Sequence, residues 1–240
     1  MTTTVPLTGE QHLPWHADPY ARALESGRGP LFLRRADGWL LPLEVERWCA
    51  RADEADLSVL RRCADSVIDL GCGPGRLVAA LARLGRNALG VDSAPAAVHR
   101  ARALGGAAVC RSVFDALPDE GRWGSALLMD GNIGIGGDVA ALLDRVGALL
   151  GPSGVLLAEA AGCEVDEQVE VRLQDADGVF GPPFRWARLG AAALRRRARA
   201  AGWHVLEEWT CGDRRFLSLS PVRDGTSPTG PRGAVVRLRR

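Results

Sequence analysis

Apolar and polar residues alternate in two distinct ways along the middle of the chain. From Ser66 to about residue 160, short continuous apolar runs alternate with segments whose apolar residues recur every three or four positions. The runs predict buried strands and the segments between them predict amphipathic helices. The predicted strands are 67–70, 88–92, 107–111, 125–130 and 155–160. This alternation indicates an α/β protein with a doubly wound parallel sheet.

The flanking segments follow other patterns. Before the alternation we expect a helix from Asp18 to Ser26, a hairpin from two apolar runs, and two short helices. The hairpin runs are 31–35 and 39–43, and the helices are 43–50 and 53–63. After a helix at about 189–201, the runs 203–210 and 214–220 are joined by a short turn, which predicts an antiparallel hairpin.

The first of two glycine clusters, VIDLGCGPGR at 67–76, has the order strand, glycine loop, helix. In an open parallel sheet this order places the loop where ligands bind. Its spacing is G-x-G-x-G (Gly71, Gly73, Gly75), which differs from the G-x-G-x-x-G of dinucleotide folds and lacks the G-K-[ST] of a phosphate loop. Asp92 ends the next predicted strand, where a carboxylate can accept hydrogen bonds from both ribose hydroxyls.

VIDLGCGPG followed by LGVDSAP resembles the motifs of class I S-adenosylmethionine-dependent methyltransferases, from about Ser66 to Ser220. The resemblance implies a Rossmann-like, mostly parallel seven-stranded sheet that ends in an antiparallel hairpin. It implies S-adenosylmethionine as the cofactor, with Asp69 positioning the methionine ammonium. An acid before the glycine loop suits an ammonium and would repel a pyrophosphate.

The resemblance also implies further cofactor contacts. The backbone at Gly71, Cys72 and Gly73 would lie against the cofactor, and Asp92 would hold the ribose with Ser93 alongside.

After the third strand, Ser112 stands where the family commonly has an acid that accepts the adenine amino group. A hydroxyl can accept the same hydrogen bond more weakly. Val113 and Phe114 can cover the adenine face, and Asp115 is the alternative for the acid.

The second glycine cluster, DGNIGIGG at 130–137, follows the fourth strand. In the resembling family this loop separates donor from acceptor. We expect Asp130 and Gly131 to contact the cofactor, Asp130 to act as general base, and Asn132 to bind the cofactor's amino acid end or orient the acceptor. The glycines are expected to leave room for an acceptor against bare backbone N–H groups. The alternative is a loop that only turns the chain, with Asp138 capping the next helix.

N-terminal segments in this family often fold over the cofactor as a lid. Tyr20 is an aromatic that can shield the sulfonium, and His16, or alternatively His12, can take the acceptor's proton. We therefore expect 1–65 to form a lid and acceptor-side cap and 66–220 to form the cofactor-binding domain. Residues 221–240, rich in Pro, Gly, Ser and Arg, are expected to be a disordered tail.

Composition excludes several classes of partner. With 30 basic and 29 acidic residues the net charge is +1, which gives no reason to expect nucleic acid binding. The 6 cysteines form no C-x-x-C pair, so no metal site is expected. Neither a signal peptide nor an apolar run of the ~18 residues that span a bilayer is visible, which predicts a cytoplasmic protein without membrane contact.

These observations predict a methyltransferase that transfers a methyl group to an O, N or S atom of a small molecule by in-line displacement. The segments 1–65, 161–187 and 130–137 are expected to shape the acceptor pocket. One alternative is a non-catalytic cofactor-binding protein of the same fold. Another is a nicotinamide-dependent oxidoreductase, whose pyrophosphate fits G-x-G-x-G poorly. The acceptor and the oligomeric state are not indicated.

Overall fold

The structure is a computed structural model that describes residues 18–223. The helices and strands follow one another in the order α1 Asp18–Ser26, β1 Leu31–Arg34, β2 Leu40–Pro42, α2 Val45–Cys49, α3 Glu54–Leu60, β3 Ser66–Leu70, α4 Arg76–Arg83, β4 Asn87–Asp92, α5 Pro95–Ala103, β5 Ala108–Cys110, β6 Trp123–Leu128, a 3-10 helix Asn132–Gly134, α6 Val139–Leu149, β7 Leu150–Ala160, β8 Asp166–Asp175, β9 Phe184–Leu189, α7 Ala191–Ala200, β10 Trp203–Cys211 and β11 Arg214–Pro221. None of the helices within this range has the length and apolar character that a bilayer crossing requires.

A seven-stranded sheet with the order β10-β11-β7-β6-β3-β4-β5 forms the centre of the fold. The strands from β3 to β7 run parallel, whereas β11 is antiparallel to both β7 and β10. The predicted doubly wound sheet with a terminal antiparallel hairpin is therefore confirmed. The strand order reverses between β3 and β6, and ligands of such sheets bind at the carboxyl ends of the strands beside this point.

Helices bury the central strands from both faces. Val67, Ile68 and Leu70 of β3 are fully buried, as expected for a parallel strand covered on both sides. On one face α3 and α4 share a core with Phe216 of β11, and on the other α6 packs with α7. The side chain of Asp138 accepts hydrogen bonds from the first turn of α6 at 3.0 and 3.1 Å, which confirms its predicted role as a helix cap. Because α3 packs on the sheet, it does not lie with the predicted cap.

A second, four-stranded antiparallel sheet has the order β2-β1-β8-β9. The β1–β2 hairpin was predicted, but β8 and most of β9 lie in 161–187, where only a connection was expected. Val169, Val171 and Leu173 alternate with polar residues along β8, so the two-residue period of a strand is present there. The inward face of this sheet packs on α1 in a core of its own. An isolated bridge between Ile135 and Trp186 joins β9 to the loop after β6.

Some predicted bounds differ from those of the structure. The helix predicted at 53–63 ends at Leu60, and the strand predicted from 155 begins at Leu150. The predicted tail begins within β11, which ends at Pro221, and 224–240 lie outside the described residues.

Candidate active site

A cavity of about 590 Å³ opens between the carboxyl ends of β3, β4 and β6 and the second sheet. Pockets for small molecules commonly measure ~300–1,000 Å³. Every predicted site residue within the described range lines this cavity. These residues are Tyr20, Asp69, Gly71, Cys72, Gly73, Asp92, Ser93, Ser112, Val113, Phe114, Asp130, Gly131 and Asn132. The remaining predicted residue, His16, and its alternative His12 lie outside the described residues.

The first glycine loop turns the chain from β3 into α4. Gly71 and Gly75 have φ of 77° and 92°, a region that favours glycine. A Cβ at Gly75 would lie 2.5 Å from Cα of Ala101, and one at Gly71 would lie 2.6 Å from Nδ2 of Asn132. The two glycines therefore let the loop pass close to α5 and to the loop after β6, which leaves its backbone as the floor of the cavity.

Asp92 is fixed at the end of β4 by two backbone donors. Its Oδ2 accepts a hydrogen bond from the Gly73 N–H at 2.8 Å, and its Oδ1 accepts one from the Ala94 N–H at 2.8 Å. The carboxylate is thus oriented against the glycine loop, at the position that the sequence predicted for a ribose contact.

Asp69 is the most unusual acid of the site. Its side chain is only 2% exposed, and its Oδ2 has no hydrogen-bond partner among the described residues. Burial raises the pKa of this carboxyl to about 8, and the nearby charge of Asp130 contributes to the same shift. Because a buried, unpaired carboxylate is unfavourable, the site favours a ligand that brings a positive charge to Asp69.

Asn132 is hydrogen-bonded to the start of the first glycine loop. Its Nδ2 donates to the carbonyl oxygens of Leu70 at 3.0 Å and Gly71 at 2.8 Å. Both amide hydrogens are therefore bound to the protein, and the side-chain oxygen is the atom left for the predicted contact with cofactor or acceptor.

Asp130 has a φ of 55°, which is uncommon outside glycine, and it is held by charged partners. Its Oδ2 accepts a hydrogen bond from Arg76 Nη2 at 2.5 Å, and its Oδ1 lies 3.0 Å from Arg47 Nη2. Its backbone N–H donates to Glu159 Oε2 at 2.8 Å. These partners fix the position of the Asp130 carboxylate, and its role as general base stays a prediction.

Asp130 belongs to a network of three arginines and four acids that sequence reasoning missed. Arg214 of β11 binds Glu159 with two hydrogen bonds of 2.8 Å, and its Nη1 donates to Asp56 Oδ1 at 2.8 Å. Arg76 donates to the other oxygen of Asp56. The sequence around Asp56 contains one local feature, the capping box that it forms with Asp53 at the start of α3. No local feature indicates its distant arginine partners.

The second glycine cluster mainly accommodates protein. A Cβ at Gly134 would lie 2.1 Å from the carbonyl oxygen of Ala187, and one at Gly137 would lie 2.6 Å from Cβ of Arg185. At Gly134 and Gly137 the expectation of room for an acceptor is therefore wrong, because β9 occupies that space. Gly131, with φ of 87°, has open space at its Cβ position and does leave backbone exposed to the cavity.

The segment after β5 bears on the two alternatives for the adenine contact. Ser112 is among the lining residues, and its Oγ accepts a hydrogen bond from the Phe114 N–H at 3.2 Å. The carboxylate of Asp115 instead accepts a hydrogen bond from the Ser112 N–H at 2.9 Å, which closes the turn. Phe114 is 44% exposed, and its ring lies 3.0 Å from where a Cβ of Gly136 would be. The structure thus favours Ser112 over Asp115.

The opposite wall of the cavity is largely apolar. It consists of residues from the second sheet, from the segment after β2 and from the loop after β6. These residues include Leu33, Leu41, Leu43, Trp48, Ile135, Phe184 and Trp186. The cavity therefore has a polar side at the glycine loop and an apolar side at the second sheet, which suits two different molecules or two ends of one.

The fold and the site define an α/β protein with a ligand cavity at the switch point of its sheet. Residues 47–208 match the model of a family described as a methyltransferase domain, and the chain belongs to this family. No curated protein matches the chain.

Solved structures with the same fold include three methyltransferases. One is a SAM-dependent methyltransferase from Bacteroides fragilis in complex with S-adenosyl-L-homocysteine, at 19% identity and a TM-score of 0.73, covering 89% of this chain and 98% of that chain. A second is the CcbJ methyltransferase from Streptomyces caelestis, at 18% identity and a TM-score of 0.54, covering 71% and 89%. A third is the 1,6-didemethyltoxoflavin-N1-methyltransferase from Burkholderia thailandensis with bound 1,6-didemethyltoxoflavin and S-adenosylhomocysteine, at 21% identity and a TM-score of 0.52, covering 72% and 80%.

Proposed function

We propose that the protein is an S-adenosylmethionine-dependent methyltransferase that acts on a small molecule at an O, N or S atom. One observation carries the proposal. A single cavity joins a glycine loop with two acids, of which Asp69 has an unpaired buried oxygen, to an apolar wall on the second sheet. The S-adenosylhomocysteine named for the Bacteroides and Burkholderia structures agrees with this interpretation of the polar side.

The polar side suits the cofactor's amino acid and sugar. Asp69 Oδ2 offers an acceptor to the ammonium, and Asp92 offers its carboxylate to the ribose hydroxyls, with Ser93 alongside. The loop at Gly71–Gly73, with Cys72 at its centre, presents backbone rather than side chains to the ligand. A cationic ligand thereby supplies a partner to Asp69 Oδ2, which the described residues leave without a hydrogen bond.

The adenine is assigned to the segment after β5. Ser112, Val113 and Phe114 line that end of the cavity, where a hydroxyl and an aromatic ring can meet a planar base. Tyr20 of α1 closes the cavity above the glycine loop, because its Oη would lie 3.6 Å from a Cβ at Gly73.

S-adenosylmethionine, when bound, supplies a methyl group on a cationic sulfur. The protein's own task is to align an acceptor atom with that methyl at about 3 Å and to exclude water, which can lower the barrier by several kcal/mol. Asp130 and Asn132 hold the loop that separates the two sides of the cavity, and Gly131 leaves it open. The proton of the acceptor is assigned to Asp130, to His16 or to water.

The acceptor is assigned to the apolar wall. Donor and acceptor share about 590 Å³, which favours a small acceptor over a macromolecule. The Burkholderia structure contains a small molecule of this kind, 1,6-didemethyltoxoflavin. We further propose that α1, the β1–β2 hairpin and α2 form the acceptor-side cap together with β8 and β9, and that 66–220 is otherwise the cofactor domain.

The test is calorimetric titration of the purified full chain with S-adenosylhomocysteine and, in parallel, with NAD. We expect saturable binding of the first and none of the second. The chain is then offered pools of small molecules with a methyl-labelled donor, and mass spectrometry searches for labelled products. Binding of NAD alone would contradict the proposal, and cofactor binding without product from any pool would favour a non-catalytic binding protein.

A further inference from the structure

Buried side-chain atoms without hydrogen-bond partners concentrate in the candidate site. Within residues 18–223 these atoms are Arg47 Nε, Trp48 Nε1, Asp69 Oδ2, Asp130 Oδ1 and Arg223 Nε. All but the last belong to residues that line the cavity described above. Buried polar groups are normally satisfied, so a cluster of exceptions in one cavity indicates where polar groups of a ligand would bind.

The four atoms divide by element into donors and acceptors. Arg47 and Trp48 are neighbours on α2, and both unsatisfied atoms are N–H donors. Asp69 lies near the end of β3 and Asp130 follows β6, and their unsatisfied atoms are carboxylate oxygens. A ligand end that carries both an anion and a cation would satisfy both kinds of group, and a free amino acid is such an end.

The other two arginines of the ionic network are already occupied. Arg76 is bound to Asp56 and Asp130, and Arg214 is bound to Glu159 and Asp56. Arg47 is different, because its terminal nitrogens lie 3.0 Å from Asp130 Oδ1 and 3.8 Å from Glu159 Oε1, whereas its Nε has no acceptor. Although Arg47 Nη2 lies 3.0 Å from Asp130 Oδ1, the two atoms form an ion pair without a hydrogen bond, so this oxygen has no hydrogen-bond partner.

We propose that α2 supplies the anion-binding half of the cofactor site, with Arg47 and Trp48 Nε1 binding the carboxylate of the cofactor's amino acid while Asp69 binds its ammonium. The inference rests on the proposed function. Under this proposal, selectivity for the complete cofactor depends on α2, which lies outside the glycine-loop motif. A cofactor without the carboxylate would leave the two donors of α2 buried and unpaired. The site thereby discriminates against decarboxylated and truncated forms of the cofactor.

Calorimetry on the full chain with a series of three ligands tests this role of α2. S-adenosylhomocysteine carries both charges, its decarboxylated form carries only the ammonium, and methylthioadenosine carries neither. For the unmodified protein we expect loss of the carboxylate to weaken binding about 10- to 100-fold, the range of a hydrogen bond to a charged group. In Arg47→Gln, binding of S-adenosylhomocysteine should weaken by a similar factor, and binding of the decarboxylated ligand should stay unchanged.

Four further variants make the result specific. Trp48→Phe removes one donor and should show the same pattern with a smaller loss. Asp69→Asn should instead remove the preference for the decarboxylated ligand over methylthioadenosine. Arg51→Gln changes an exposed arginine next to α2 that does not line the cavity and should bind all three ligands like the unmodified protein. If thermal unfolding shows that Arg47→Gln is unfolded, Arg47→Lys is measured in its place. This variant keeps the positive charge and removes the Nε donor.

The outcomes separate this inference from the function on which it rests. Equal weakening of all three ligands by Arg47→Gln, or an unmodified protein that does not distinguish S-adenosylhomocysteine from its decarboxylated form, would overturn the role of α2 and leave the cofactor assignment standing. An unmodified protein that binds none of the three ligands would overturn the proposed function itself.

Discussion

Replacing Asp69 with asparagine should stabilise the protein and impair it at the same time. The substitution Asp69→Asn keeps the shape of the side chain and removes a titratable carboxyl group whose Oδ2 is buried without a hydrogen-bond partner. The pKa of Asp69 is about 8, raised first by burial and then by the charge of Asp130. In an unfolded chain an aspartate titrates near ~3.9.

The magnitude follows from the two pKa values. Between about pH 4 and pH 8 the folded protein holds a proton on Asp69 that the unfolded chain has released, so the free energy of unfolding of the ligand-free protein falls as the pH rises through this range. At pH 7 the difference corresponds to about 3 pH units at ~1.4 kcal/mol each, or ~4 kcal/mol at most. A neutral amide in place of the carboxyl removes this dependence, so we expect Asp69→Asn to gain ~2–4 kcal/mol at pH 7 and almost nothing at pH 4.

The assay is urea unfolding of both proteins, without ligand, at several pH values from 4 to 8. The difference in free energy of unfolding should grow with pH, while all other titrating groups contribute equally to both proteins. Binding of S-adenosylhomocysteine should weaken about 10- to 100-fold in the same variant, because the ammonium loses its charged acceptor. A variant that is less stable at every pH, or a difference that does not change with pH, would refute the account of Asp69.

Three other substitutions test separate parts of the structure. Asp92→Ala should weaken binding of S-adenosylhomocysteine by ~1–3 kcal/mol in calorimetry, and an unchanged dissociation constant would contradict the ribose contact. Gly134→Ala should lower the free energy of unfolding by ~1–3 kcal/mol, because its Cβ would lie 2.1 Å from a carbonyl oxygen of β9, whereas Gly162→Ala meets nothing within 4 Å and should be neutral. Arg214→Met should cost ~3–5 kcal/mol in urea unfolding, because buried Glu159 loses both hydrogen bonds from Arg214 and buried Asp56 loses one of its two arginine partners. The exposed pair of Arg61 should show less than ~1 kcal/mol on the same replacement.

The cofactor side of the site could be predicted because its determinants are local. The glycine loop and Asp92 lie at the ends of adjacent strands, and parallel strands place their carboxyl ends at one edge of the sheet. A strand pattern and a few residues after it therefore suffice to bring Asp69, Gly71 and Asp92 together.

The acceptor side depends on pairings between distant segments. β8 has a readable two-residue period, but nothing in that period indicates that β1 would be its partner, 140 residues away in the case of Arg34 and Gln174. The glycines at 134 and 137 show the same limit, since their role depends on the position of β9. Local sequence thus indicated a close approach at this loop without indicating what approaches.

The ionic network shows why charged residues are hard to assign. Arg214 and Glu159 lie 55 positions apart and look like surface residues of two strands. Their burial follows from the antiparallel pairing of β11 with β7, which sets Arg215 opposite Ala160. The charge pattern along a single strand does not indicate with which other strand it pairs.

A crystal structure of the full chain grown with S-adenosylhomocysteine would show where the cofactor binds. We expect the ribose hydroxyls within hydrogen-bond distance of the Asp92 carboxylate and the ammonium beside Asp69. Density for the ligand away from the carboxyl ends of β3 and β4, or none at saturating concentration, would contradict this expectation.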